Sequence, residues 1–305
     1  MNFLGSVILE PGLISSAPVK HALIVGSFVA ISAAVVGILV VIRGQSFAGH
    51  ALGDIATIGG SASYLLSINP MVGFFLVGAV GGGAMEVTGS SRSRSKDVST
   101  GIVLGAALGL SALLFYLDST DVTSSGIAVT VLFGSLFSPS NYLTPLVAVL
   151  GVSTVAITLL LAHPVTFCTI SRDLAQTRGV KVRMLDFVLL VAVGVTVALS
   201  SVAIGTILST ALLIGPAGAA LLVSSSPKKS YIYASAISLV SVWLGVIFSY
   251  DSYYWAPHRG SWPVSFFVVA IIFLTYLVLP GFHGWLVRPR RHVAIGSMSE
   301  EAVKL

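Results

Sequence analysis

The feature that most constrains this chain is an apolar run of membrane-crossing length that recurs along nearly the whole sequence, broken by short polar loops. A helix needs roughly 20 mostly apolar residues to cross the hydrocarbon core of a bilayer. Only 9% of the 305 residues are charged, against roughly 25% in a soluble domain. So few charges do not cover a water-facing surface of this size, so lipid is the natural solvent. The expectation is an all-α polytopic membrane protein, with nearly every backbone polar group paired inside its own helix.

The apolar runs fall at about 21–42, 47–66, 71–87, 98–117, 143–161, 185–204, 207–223, 232–248 and 264–279. The first eight predict about eight full crossings, with 264–279 a shorter ninth apolar element. A further apolar stretch, 127–137, is too short to cross and is read as re-entrant or interfacial. A polar segment is expected over 166–183 and a polar loop over 251–262. The chain divides into an N-terminal segment 1–20, a membrane domain 21–285 and a basic tail 286–305. The N-terminal segment lacks the basic flank of a cleaved signal peptide. The single cysteine, Cys168, has no partner for an internal disulfide and reads as inert.

The net charge of +5 is modest, and its positives sit in short clusters between apolar runs without interleaved aromatics. That is the pattern of cytoplasmic loops rather than of a nucleic-acid surface. The clusters are Arg92, Arg94 and Lys96; Arg172, Arg178, Lys181 and Arg183; Lys228 and Lys229; and Arg288, Arg290 and Arg291. All share one side if 127–137 does not cross. The opposite loops hold Asp118 and Asp121, and the 251–262 segment with Arg259. The C-terminus is then cytoplasmic, in the plasma membrane of a prokaryote. Glycines at 78, 81–83, 101, 105, 109, 215 and 218 are read as sites of close helix approach.

No G-x-x-x-x-G-K-[ST] segment is present, so ATP hydrolysis by the P-loop route is not available to this chain alone. Ionisable groups within apolar runs are costly and are functional candidates. They are His50, Asp54, Glu86 and Asp186. Glu86 sits beside a basic loop and reads as a carboxylate that snorkels or pairs with arginine. Asp186 opens its run and reads as a carboxylate at a helix N-terminus. His50 and Asp54 are four apart on one helical face. An imidazole and a carboxylate suit Zn²⁺, Mn²⁺ or Fe²⁺, although two ligands do not complete a site. The competing reading is a hydrogen bond that satisfies two half-buried groups. Residues 171–179 read as a short helix with Leu174 and Arg178 on one face and Gly179 as its stop. That helix either docks a partner or is simply a solvated connection.

Four segments together resemble the permease subunits of zinc, manganese and iron ABC importers. Val41-Ile42-Arg43 followed by Gly49-His50-Ala51-Leu52-Gly53-Asp54 is similar to that family's arginine and G-D-A-x-x-H-A. The segment Ser171-Arg172-Asp173-Leu174-Ala175-Gln176-Thr177-Arg178-Gly179 resembles its coupling helix, D-x-x-x-A-x-x-x-G. Leu212-Leu213-Ile214-Gly215-Pro216-Ala217-Gly218-Ala219 resembles L-L-I-x-P-A-A-x-A, and Gly215 and Pro216 mark that structural motif. Asp251 through Gly260 is similar to D-x-P-x-G-x-x-I-V with extra residues. The family order is Asp then His; here His50 precedes Asp54, which leaves the preferred metal open.

The resemblance implies a bundle of the ABC importer permease type, with no permanent cofactor and a divalent metal ion as cargo. It implies a second permease copy, two cytoplasmic ATPase subunits and an extracellular metal-binding protein as partners. It places Ser171, Arg172, Asp173, Leu174, Ala175, Arg178 and Gly179 at the ATPase, and His50 and Asp54 on the metal path. The rival readings are a permease for a metal chelate or other organic cargo, a secondary metal transporter without ATPase, and a membrane scaffold.

Overall fold

The computed structural model describes residues 13, 16–88, 93–120, 127–134, 136–137, 143–224, 226–255 and 261–286. Among these the chain is helical throughout: α1 (Ala17–Ile42), α2 (Ser46–Leu65), α3 (Pro70–Thr88), α4 (Ser93–Thr120), α5 (Ile127–Phe133), α6 (Leu143–Ile170), α7 (Arg172–Thr177), α8 (Val182–Ile204), α9 (Thr206–Val223), α10 (Pro227–Trp255) and α11 (Val264–Leu286). Five of them, α1, α4, α6, α8 and α10, are long and apolar enough to cross a membrane, while α3, α9 and α11 carry shorter apolar stretches.

Several helices outrun their expected bounds, each for a local reason. α1 starts at Ala17, because Pro18 fits the first helical turn, where its missing N–H costs nothing. α6 continues through Pro164 to Ile170, so 166–170 is helix and not part of a polar connection. There the Thr166 hydroxyl donates to the Ala162 carbonyl and Thr169 to Val165. These bonds give the threonines a partner within the helix in an apolar setting. α10 runs on to Trp255, which makes residues 251–255 helical rather than a loop; Asp251 is fully buried there. α4 likewise carries past Asp118, a buried carboxylate, to Thr120. Asp121, Arg259 and the tail 287–305 lie outside the described residues, as does the side chain of Glu86.

The core of the bundle is α1, walled by α6, α8, α9 and α10. α1 and α10 are also tied by the indole of Trp243, which donates to Ser27 Oγ at 2.9 Å. α3 crosses α8 where Gly78 faces Gly194, and a Cβ on Gly194 would stand 2.1 Å from the Gly78 carbonyl. Only hydrogen fits at that crossing, as expected of helices that associate in lipid. The same expectation fails on α4: Gly101, Gly105 and Gly109 meet nothing within 4 Å of a built Cβ. That face of α4 is not packed within the chain.

The helix directions follow from the same contacts. Gly49 of α2 lies against Val193 and Leu213, and Gly53 against Val197 and Ser209. Advancing along α2 therefore advances along α8 and retreats along α9. The two form an antiparallel hairpin around α2, reversed at one residue, Gly205, with φ +97°. A Cβ on Gly205 would stand 2.1 Å from the Leu132 carbonyl at the end of α5. The seven-residue α5 is too short to cross, and it packs with its turn at Gly134 on that junction. α3 runs antiparallel to α8, because Gly78 meets Gly194 while Gly82 meets Leu190. The C-terminal ends of α3 and α9 therefore lie with the start of α8, at the end of the bundle that also carries α7.

Candidate metal pair and coupling helix

α2 places His50 and Asp54 one turn apart, well inside the bundle at the level of Val193 to Val197 of α8. The His50 side chain is 45% exposed and that of Asp54 is 16% exposed. Nε2 of His50 lies 3.9 Å from Oδ2 of Asp54. That is too long for a hydrogen bond, so the His–Asp bond offered as the alternative reading is not formed. It is short enough for one cation to touch both atoms, since Zn–N and Zn–O bonds are each roughly 2.0–2.2 Å. Oδ2 of Asp54 is buried and has no hydrogen-bond partner. A carboxylate oxygen left this way costs free energy that a bound cation would recover.

The other ring nitrogen of His50 is held. Nδ1 lies 3.1 Å from Oγ1 of Thr210 on α9, which turns Nε2 toward Asp54. Thr210 is absent from the sequence reading. Nothing in its local pattern marks it, and only the α8–α9 hairpin brings it across to α2. Ser111 of α4 closes the other side, its hydroxyl donating to the Asp54 backbone carbonyl at 3.4 Å. Among the described residues no group of three or more His, Cys, Asp or Glu side chains is placed to hold a metal. The pair therefore offers two ligands from one helix and leaves the other positions open.

At the far end of the hairpin, α7 forms as its residues dictate. The Ser171 side chain accepts the Leu174 N–H at 3.3 Å, an N-cap of the ordinary kind. Gly179, at φ +78°, ends the helix, and the Val180 N–H reaches back to the Ala175 carbonyl at 3.0 Å. One face is anchored: Ala175 is fully buried in a cluster with Cys168 and Val182. The other presents Asp173, Leu174 and Arg178 outward. Arg172 turns back to the bundle and donates to Asp186.

Asp186 corrects the sequence reading. It lies one turn inside α8, is 1% exposed, and faces Arg172 and Arg43 rather than the helix N-terminus. On α9, Pro216 is buried inside the helix, and Gly215 lets Ile272 of α11 approach, a built Cβ standing 2.3 Å from it.

The model of the ABC 3 transport family matches residues 16–279 of the 305. The chain belongs to the ABC 3 transport family. Among curated proteins it is similar to the manganese transport system membrane protein MntC of Listeria innocua, 31% identical over 78% of this chain and 84% of that one. It is also similar to the high-affinity zinc uptake system membrane protein ZnuB of Haemophilus influenzae, 28% identical over 76% of this chain and 88% of that one. In fold it matches a solved structure of PsaBC from Streptococcus pneumoniae in complex with Fab. The TM-score is 0.72 at 23% identity, covering 90% of this chain and 97% of that one. Membership of an ABC transport family sets aside the readings as a secondary transporter and as a scaffold.

Proposed function

We propose that this chain is the membrane permease subunit of an ATP-driven importer for divalent transition-metal ions, with manganese and zinc the first candidates for its cargo. The observation that carries the reading is the buried, unpartnered Oδ2 of Asp54, 3.9 Å from His50 Nε2. Relatives named for manganese and zinc transport support it. The pair is open on one side, as a transit site must be: binding strong enough to admit an ion and weak enough to release it.

On this reading about eight helices cross the plasma membrane, with the basic loops and the C-terminus in the cytoplasm. A second permease copy, identical or related, stands beside this one and offers the same two ligands across a two-fold axis. Two imidazoles and two carboxylates are borderline in hardness and accept Mn²⁺, Zn²⁺ or Fe²⁺. Two cytoplasmic ATPase subunits grip the outward face of α7 at Asp173, Leu174 and Arg178, and an extracellular metal-binding protein delivers the ion. ATP hydrolysis belongs to those ATPases and not to this chain.

The test is uptake by vesicles holding the permease with its ATPase and binding protein. ATP-dependent accumulation of radioactive manganese or zinc is expected. Accumulation of a ferric chelate with neither free ion would overturn the assignment in favour of an organic cargo. The α7 docking face has its own check: Leu174→Asp should uncouple ATPase activity from the binding protein. An ATPase that still responds to binding protein in that variant would remove α7 from the docking site.

A further inference from the structure

Three charged residues from three parts of the chain meet where α1 ends. Asp186 of α8 is 1% exposed, and Arg43, the residue that ends α1, is 8% exposed. Arg43 Nη2 lies 2.5 Å from Asp186 Oδ1. Arg172 of α7, 46% exposed, donates from Nη2 to Asp186 Oδ2. Arg43 Nη1 is buried with no hydrogen-bond partner. Two guanidinium groups thus share one carboxylate.

The two arginines are not equivalent. Arg43 and Asp186 are both shut off from water, and separating them would strand two buried charges. Their pair is neutral and permanent. Arg172 is half in solvent, where an ion pair contributes little and water is a ready substitute. Withdrawing Arg172 leaves the neutral Arg43–Asp186 pair intact. The exchangeable contact is therefore the one that α7 makes.

Arg43 also stands at a mechanically significant place. Its N–H bonds to the Leu39 carbonyl at the end of α1. Gly44, at φ +64°, and Gln45 follow as the turn into α2. His50 is in the next turn of that helix. A continuous path then runs from α7 through Arg172, Asp186 and Arg43 to the turn that carries the metal pair.

We propose that Asp186 is a latch: Arg172 engages it in one transport state and leaves it in another, so that movement of α7 is passed through Arg43 to the α1–α2 turn and the His50–Asp54 pair. Asp186 and Arg172 are positioning residues here, since neither touches the cargo. The inference rests on the reading of α7 as the ATPase-docking helix. It goes beyond that reading in naming how the helix is joined to the metal pair. Two discrete arrangements of a contiguous charged network are the physical form that such transmission takes.

The experiment is a double-mutant cycle in the complete transporter in vesicles, read as manganese moved per ATP hydrolysed. Arg172→Ala should lower that ratio about three- to tenfold, the range that changes along a coupling network produce. Arg172→Lys should restore part of it. Arg172→Ala combined with Asp186→Asn should be no worse than Asp186→Asn alone. If Asp186→Asn does not assemble, Arg172→Ala against Arg172→Lys in the otherwise native chain replaces the cycle, and an equal ratio in the two would overturn the latch. Additive effects, or a normal ratio in Arg172→Ala, would overturn the latch. Leu174→Asp separates the two ideas. A normal Arg172→Ala ratio beside an uncoupled Leu174→Asp means that the latch is wrong and the docking helix right. A coupled, non-additive cycle beside a fully responsive Leu174→Asp means the reverse.

Discussion

Two clusters of ionisable side chains among the described residues, at the end of α1 and on α2, are built on opposite principles. At the end of α1, Asp186 is surrounded: two guanidinium groups meet one carboxylate, and the group is closed to water on nearly every side. On α2, Asp54 is left wanting: one carboxylate oxygen is buried without a donor, and its nearest basic atom is 3.9 Å away. A buried carboxylate met by two guanidinium groups ties three segments of the chain together. One whose only nearby basic atom among the described residues is an imidazole nitrogen 3.9 Å away has room for a cation between the two. On the proposals above, the first arrangement serves the architecture and its movement, and the second serves the cargo.

The largest expected effect breaks the first cluster. Asp186→Asn leaves Arg43 buried without its counter-charge and should destabilise the fold by about 3–5 kcal/mol, the usual cost of removing one partner of a buried pair. A lowered melting temperature of the purified permease, or loss of assembled protein, is the readout. A melting temperature equal to wild type would mean that Arg43 finds another partner.

The same change in the second cluster should act in the opposite sense. Asp54→Asn removes a carboxylate whose nearest basic atom among the described residues is His50 Nε2, 3.9 Å away and outside hydrogen-bond range, so stability should hold within about 1 kcal/mol of wild type or rise, as happens where a site is kept for function rather than fold. Thermal melting without added metal measures it. A loss as large as that of Asp186→Asn would place Asp54 among the structural residues and erase the contrast.

A smaller effect sharpens the contrast further. Thr210→Val keeps the shape of the side chain and removes the hydroxyl beside His50 Nδ1. A net hydrogen bond contributes about 1 kcal/mol, so manganese uptake should fall by a few-fold through weaker affinity, with assembly unchanged. Uptake measured over a range of manganese concentrations separates a weaker affinity from a lower maximal rate. An unchanged concentration dependence would show that the imidazole needs no such support.

These two clusters also mark what the sequence discloses. The His50–Asp54 pair is legible because both residues sit on one helix at a spacing that puts them on one face. The short helix α7 is legible for the same reason, since Ser171 and Gly179 fix both its ends within nine residues of chain. The Asp186 cluster is not, because Arg43, Arg172 and Asp186 come from three segments that only the packed bundle joins. Thr210 is hidden in the same way. Asp118 and Asp251 read as loop residues because a carboxylate breaks an apolar pattern, yet the helices carry both into buried positions. The polar residues of 166–170 hide helix in the same fashion: α6 runs through Pro164, and the threonines that follow bond back along it.

The central claim is that His50 and Asp54 carry the metal, and uptake of radioactive manganese and zinc by the assembled transporter in vesicles tests it most directly. His50→Ala and Asp54→Ala should each lower uptake at least about tenfold, because even the loss of an outer partner of a metal ligand costs that much. The exchanged pair, His50→Asp with Asp54→His, keeps both ligand types on the same face and should recover a substantial part of the activity. Wild-type uptake of both metals in both single alanine variants would contradict the account and leave this pair with no part in transport.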